Sequence, residues 1–150
     1  MDQVGVLGIH AVALVASAKR LNSEDRIPMS QDIARLMARV LFDVFSEHDA
    51  ERRRSVIKEL FSEDVTFADP EADRVGHDAI DRAVAGLHSS LPAFVFTLTG
   101  PAQTLTNAGR QHWGFGPPGE APKVTGTDFV IVKDEKIVAL YTFLDANPVS

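Results

Sequence analysis

The chain of 150 residues contains no cysteine, and only one tryptophan and one tyrosine. Without cysteine there is no disulfide framework, no thiolate nucleophile and no thiolate metal site, and a reducing compartment is compatible with the sequence. Positive charge is scarce as well. The net charge is -6, and the dense cationic run Arg52-Arg53-Arg54 with Lys58 is flanked by Asp49, Glu51 and Glu59. A nucleic-acid partner would need a basic face, so none is expected. The apolar run from Val4 to Ala18 is 15 residues long and is interrupted by Gly5, Gly8 and His10, whereas a bilayer span takes roughly 20 residues. Asp2 precedes that run and Lys19-Arg20 follow it, the reverse of a secretory signal. No membrane association is expected, and the expected location is cytoplasmic.

Several chemical motifs are missing too. There is no G-x-S-x-G, no H-E-x-x-H and no P-loop, so elbow-serine acyl transfer, zinc hydrolysis and nucleotide binding have no local support. Residues Gly114 to Gly119 do spell G-x-G-x-x-G. A dinucleotide loop must open a helix, however, and here Pro117-Pro118 lead toward another strand, so a hairpin is expected. The five histidines, His10, His48, His77, His88 and His112, show no metal-ligand spacing on one face. No metal and no cofactor are expected.

What is present is the composition of one domain with a core, 45% hydrophobic and 24% charged. The polar stretch "LNSEDRIP" reads as a linker, which divides an N-terminal extension, residues 1–28, from a domain over 29–150. From Ser30, a helix cap, Ile33, Leu36, Met37, Val40, Leu41, Val44 and Phe45 fall on one helical stripe. Asp49 caps a second helix that buries Val56, Ile57, Leu60 and Phe61, with the arginine run at its solvated start. A third helix after Gly76 turns Ile80, Val84, Leu87 and Leu91 inward and ends at Pro92. One early strand, Val65 to Ala68, precedes it.

Beyond Pro92, short runs rich in Val, Phe, Thr, Leu and Ile alternate with turn signals at Gly100-Pro101, Asn107-Ala108-Gly109, Pro117-Pro118-Gly119 and Asp134-Glu135. Helices first and an antiparallel meander afterwards predict an α+β fold with three helices packed on a curved sheet. In "KIVALYTFL" both strand faces are apolar, with Val138, Leu140, Thr142 and Leu144 on one and Ile137, Ala139, Tyr141 and Phe143 on the other. The second face predicts a homodimer through the sheet.

Two aspartates stand out. In "VTFADP" alternation places Val65, Phe67 and Asp69 on one face. Asp69 either closes a turn with Pro70 or points inward with Phe67. In "VTGTDFVIV", Asp128 shares a face with Val130 and Val132, where a carboxyl is disfavoured unless it is used. Burial raises a carboxyl pKa, so Asp128 is expected to stay protonated near neutrality while Asp69 remains a base. Such a pair could enolise a carbonyl compound, with Asp69 moving the proton and Asp128 stabilising the oxyanion. Trp113 and Phe115, two apart on one strand, either pack in the core or line a cavity. The further expected cavity wall is Leu41, Phe67, Val130, Leu140, Thr142 and Leu144. Apolar walls with a few carboxyls suit a hydrophobic small molecule bearing a carbonyl.

The element order and the stretches "SEHDAERRRSVIKELFSEDVTFADPEADRVGHDAI" and "GTDFVIVKDEKIVALYTFLD" resemble the nuclear transport factor 2-like superfamily, in its SnoaL-like and ketosteroid-isomerase-like branches, over about residues 31 to 146. The resemblance implies a cone-shaped α+β half-barrel, a pocket between helices and sheet, and a dimer packed through the sheet. It implies Asp69 as general base and Asp128 as the protonated aspartate of the oxyanion hole. It also implies an oxyanion-hole tyrosine near Leu41, where this chain has Leu41-Phe42; losing such a donor costs roughly 3 kcal/mol of transition-state stabilisation. The sequence thus leads to a small cofactor-independent enzyme of isomerase, cyclase or dehydratase type, or else to a non-catalytic dimeric ligand-binding or interaction domain of the same fold.

Overall fold

The computed structural model describes residues 30–145. The extension expected over 1–28 and the Ser30 cap lie outside the residues and side chains it describes. Helix α1, Ser30–Arg39, continues into a π-helical segment, Val40–Phe45. The predicted stripe holds: Ile33, Met37, Val40, Leu41 and Val44 are buried, and Leu36 and Phe45 pack partly buried against the core. Helix α2, Ala50–Leu60, starts at Asp49, whose side chain accepts from the Arg52 N–H at 2.9 Å. Helix α3 is His77–Ser90. Leu91, expected inward, follows this helix and is 36% exposed.

The strands are β1 Phe61–Ala68, β2 Asp73–Val75, β3 Val95–Leu98, β4 Gln103–Thr104, β5 Ala108–Gly116, β6 Val124–Lys133 and β7 Lys136–Leu144. They form one sheet in the order β2-β1-β7-β6-β5-β3, with β4 on β5. All pairs are antiparallel except β1 with β7. Asp134 and Glu135 have φ of 51° and 66°, the left-handed pair of a two-residue hairpin turn between β6 and β7. The G-x-G-x-x-G stretch is the β5–β6 hairpin, as expected, with Gly119 at φ 78°.

Three further sequence expectations change. Phe61 opens β1 and does not close α2, so the strand starts four residues before Val65. Its burial suits either reading, since residues 57 and 61 are four apart as on a helix and 61, 65 and 67 can also share a sheet face. The second change concerns β7. Val132 pairs with Ile137 but Ile131 pairs with Ala139, so Val138 is an extra residue, a bulge that reverses the strand's phase. Ile137, expected on the outer face, is therefore fully buried in the core with Val132, and Val138 is displaced from the inner face.

The third change is the arginine run. Arg53 is not solvated: it is 3% exposed, donates from Nε to Asp81 Oδ1 at 2.7 Å and from Nη1 to the Glu47 carbonyl at 2.8 Å. Arg54 Nε reaches Asp81 Oδ2 at 3.2 Å. Burial alone would raise the Asp81 pKa, but the two guanidinium groups outweigh it and hold the carboxyl below its usual range. This ion pair fixes α3 against α2. A second buried polar contact ties α1 to the sheet, with Gln111 Nε2 donating to the Met37 carbonyl at 2.7 Å just before the π-helical segment.

Removing one partner of a buried pair strands the other. Arg53→Met should lower stability by about 3 kcal/mol in urea denaturation, and Arg53→Met/Asp81→Leu should recover most of that loss. A single substitution that costs no more than a surface change would contradict the clamp.

Candidate functional site

A cavity of about 880 Å³ lies between α3, the π-helical segment and the inner face of the sheet. The inner face follows from strand pairing: Gln111 faces Asp128, Trp113 faces Gly126 and Asp128 faces Thr142. The cavity brings together eight of the ten expected residues, Leu41, Phe67, Asp69, Trp113, Phe115, Asp128, Thr142 and Leu144. Val130 and Leu140 do not line it. They are fully buried in the core with Ile33, Met37 and Val40. Alternation selects a face of the sheet but not a position along it, and α1 covers that part of the face.

Trp113 is held by its surroundings. It packs edge-on against Phe96, ring centroids 5.4 Å apart, and Phe96 stacks on Phe115 at 4.3 Å. A Cβ on Gly126 would come within 2.5 Å of Trp113 Cζ2 and of the Phe143 carbonyl. Only glycine lets the indole lie across β6 at that point. From there Trp113 Nε1 donates to Asp128 Oδ1 at 3.1 Å, and Thr142 Oγ1 reaches the same oxygen at 2.9 Å. An indole nitrogen can only donate, so Oδ1 is an acceptor in either charge state and any proton on Asp128 belongs on Oδ2.

Asp128 is 5% exposed. Burial pushes its carboxyl pKa up to about 6, against the smaller downward pull of the Thr142 and Trp113 hydrogen bonds. The shift has the expected direction. A carboxyl titrating at about 6 has both its acid and its carboxylate form accessible around neutrality. Asp128 exchanges its proton in the physiological range.

Asp69 has different surroundings. Its Oδ1 accepts from the N–H groups of Glu71 and Ala72 at 2.9 and 3.1 Å, and Arg74 Nη1 lies 3.0 Å from the same oxygen. Both sequence readings hold at once, because Asp69 closes the β1–β2 turn and also lines the cavity. Leu41 lines the wall and is buried, and Phe42 is 42% exposed, so no tyrosine hydroxyl enters from this part of the helix. The sole tyrosine, Tyr141, stacks on Phe129 at 6.3 Å; these two residues pair across β6 and β7 on the outer face.

The sequence reading missed Arg74, Arg82 and Phe96, all of which line the cavity. Arg74 pairs in register with Phe67, and its guanidinium lies 5.2 Å from that ring's centroid. The signal for it was the short strand "DRV", which the Asp-Pro turn folds back on β1. Among the described residues no three His, Asp or Glu side chains are grouped to hold a metal ion, and no helix is long and apolar enough to cross a membrane.

The Asp128 shift sets a pH dependence. The folded state binds this proton more tightly than the unfolded chain, whose value is near 3.8. The two states are equally protonated below about pH 4. Stability then falls as pH rises to 6, and above it the accumulated loss is about 3 kcal/mol. Asp128→Asn keeps an acceptor for Trp113 and Thr142 and removes the charge. The variant should gain on the wild type by about 2–3 kcal/mol between pH 4 and 8 in denaturation experiments, and a difference that stays constant across that range would contradict the shift.

Comparison with known proteins fits this architecture. Residues 38–140 match the family model described as the SnoaL-like domain. A candidate isomerase of the SnoaL-like family from Agrobacterium tumefaciens str. C58 is similar at 25% identity, over 77% of this chain and 99% of its own, with a TM-score of 0.71. A candidate SnoaL-like polyketide cyclase from Jannaschia sp. CCS1 shares the fold at 13% identity, over 80% and 90% of the two chains, TM-score 0.65. A candidate ketosteroid isomerase from Kribbella flavida DSM 17836 does so at 16% identity, over 79% and 81%, TM-score 0.60. None of the curated proteins compared matches the chain. The family model spans more than half of the sequence and agrees with the three-helix cone observed: the chain belongs to the SnoaL-like domain family.

Proposed function

We propose that the protein moves a proton on a hydrophobic carbonyl compound, in chemistry of the isomerase, cyclase or dehydratase kind, with Asp128 as the acid/base group. One observation carries this reading: a carboxyl with a pKa of about 6 sits in the wall of an apolar cavity. At neutral pH its carboxylate takes a proton from the carbon next to the carbonyl, and the neutral acid so formed returns it elsewhere. The low-dielectric wall strengthens each interaction with the developing charge. Arg74, in the same lining, supplies positive charge for the carbonyl oxygen in place of the missing tyrosine. Asp69 holds Arg74 and the turn in this reading instead of taking the proton. The similar candidate isomerase and candidate polyketide cyclase support the reaction class.

Leu41 favours a second reading, a ligand-binding module without catalysis, because an apolar side chain lines the wall where the resemblance implies an oxyanion-hole tyrosine. Exchange of the α-hydrogens of a hydrophobic ketone such as α-tetralone, followed by NMR in deuterium oxide, separates the two. The wild type should accelerate exchange, Asp128→Asn should abolish the acceleration, and Asp69→Asn should retain part of it. Ketone binding without faster exchange would favour the binding module.

The same reading includes a homodimer through the outer sheet face. Phe129 stacks on Tyr141 there, and Phe143 beside them is 59% exposed. Sedimentation equilibrium at tens of micromolar should give twice the chain mass, and Phe143→Lys should lower it toward one; a wild-type monomer would overturn the dimer.

A further inference from the structure

Resting on that reading of the cavity, we infer that its ligand carries a carboxylate, held by Arg82 at the mouth while the apolar body reaches in toward Trp113. The support comes from one face of α3. Ala79, Ala83, Gly86 and Ser90 recur there at helical spacing, and all four line the cavity. A Cβ on Gly86 would meet nothing within 4 Å. Glycine inside a helix is destabilising relative to alanine, and this one faces open cavity. The stripe leaves room where larger side chains would fill it.

The one charged side chain that α3 gives the cavity is Arg82, which is exposed. It makes no ion pair among the described residues, although Asp78 stands one turn before it. Arg74 differs. It is half-buried, 3.0 Å from Asp69 and 3.6 Å from Glu71. The cavity therefore has one cation paired with Asp69 at β2, the one assigned above to the carbonyl oxygen, and one at its solvent edge without an ion pair among the described residues. Glu71, with its side chain 84% exposed, is well screened by water. A flat guanidinium fork suits a planar carboxylate, and a single uncommitted charge suits a monoanion better than a phosphate dianion. The deeper wall of Phe96, Trp113 and Phe115 suits an aromatic or polycyclic body.

Trp113 is the only tryptophan of the chain and lines the cavity, so its emission reports occupancy. Anthraquinone-2-carboxylate and its methyl ester differ only at the anionic end. The full-length wild type should bind the acid about twofold to fivefold more tightly than the ester at low salt, with the margin shrinking as salt is added. Arg82→Gln should remove the margin and leave ester binding unchanged, and Gly86→Phe should block both probes. Equal affinity for acid and ester, or a margin that survives Arg82→Gln, overturns the carboxylate site and leaves the proton-transfer reading intact. If neither probe changes the emission, or both bind Gly86→Phe normally, the probes are not in the cavity and the inference fails with that reading.

Discussion

The Asp128 carboxyl is held in an apolar wall, almost wholly buried, where Trp113 and Thr142 both hydrogen-bond one of its oxygens. Much of the surrounding architecture serves that contact. Gly126 is small so that the indole can cross β6, and the Phe96–Phe115 stack supports the indole from the other side. The bulge at Val138 lets Ile137 reach the core while Leu140 and Thr142 stay on the inner face. A buried carboxyl reduces stability above its pKa, and in the proposed reading its chemistry offsets that cost.

The cavity around it follows from what the helices leave out. α1 covers the sheet over Val130 and Leu140 and makes solid core there, while α3 presents small residues over the part that holds Asp128. The Arg53–Asp81 pair fixes α3 to α2 so that this open face stays in position. Asp69 sits at the other side, with its carboxylate engaged by the turn and by Arg74. In the proposed reading the two carboxyls expected to share one reaction divide, Asp128 exchanging the proton and Asp69 anchoring Arg74 at the cavity.

Most of this was legible in the sequence. Helical spacing from Ile33 to Phe45, the Asp49 cap and the hairpin signals gave the element order, and strand alternation put Phe67, Trp113, Asp128 and Thr142 on one face. Periodicity failed where two elements met without a break, as at Phe61, and where one inserted residue reversed the phase, as at Val138. Depth along a face cannot be read from alternation, which is why Val130 and Leu140 were placed in the cavity wall. Arg53, Arg74 and Arg82 were missed for a related reason: a cation in sequence looks like solvated surface until the fold supplies its carboxylate or its cavity.

Trp113 is hydrogen-bonded to the carboxyl whose proton exchange near neutrality the proposed chemistry requires. Trp113 emission measured from pH 3 to 9 should show a transition with its midpoint at about 6, and Asp128→Asn should lack it. A transition confined to the ordinary carboxylate range near pH 4, or an identical one in Asp128→Asn, would contradict the account.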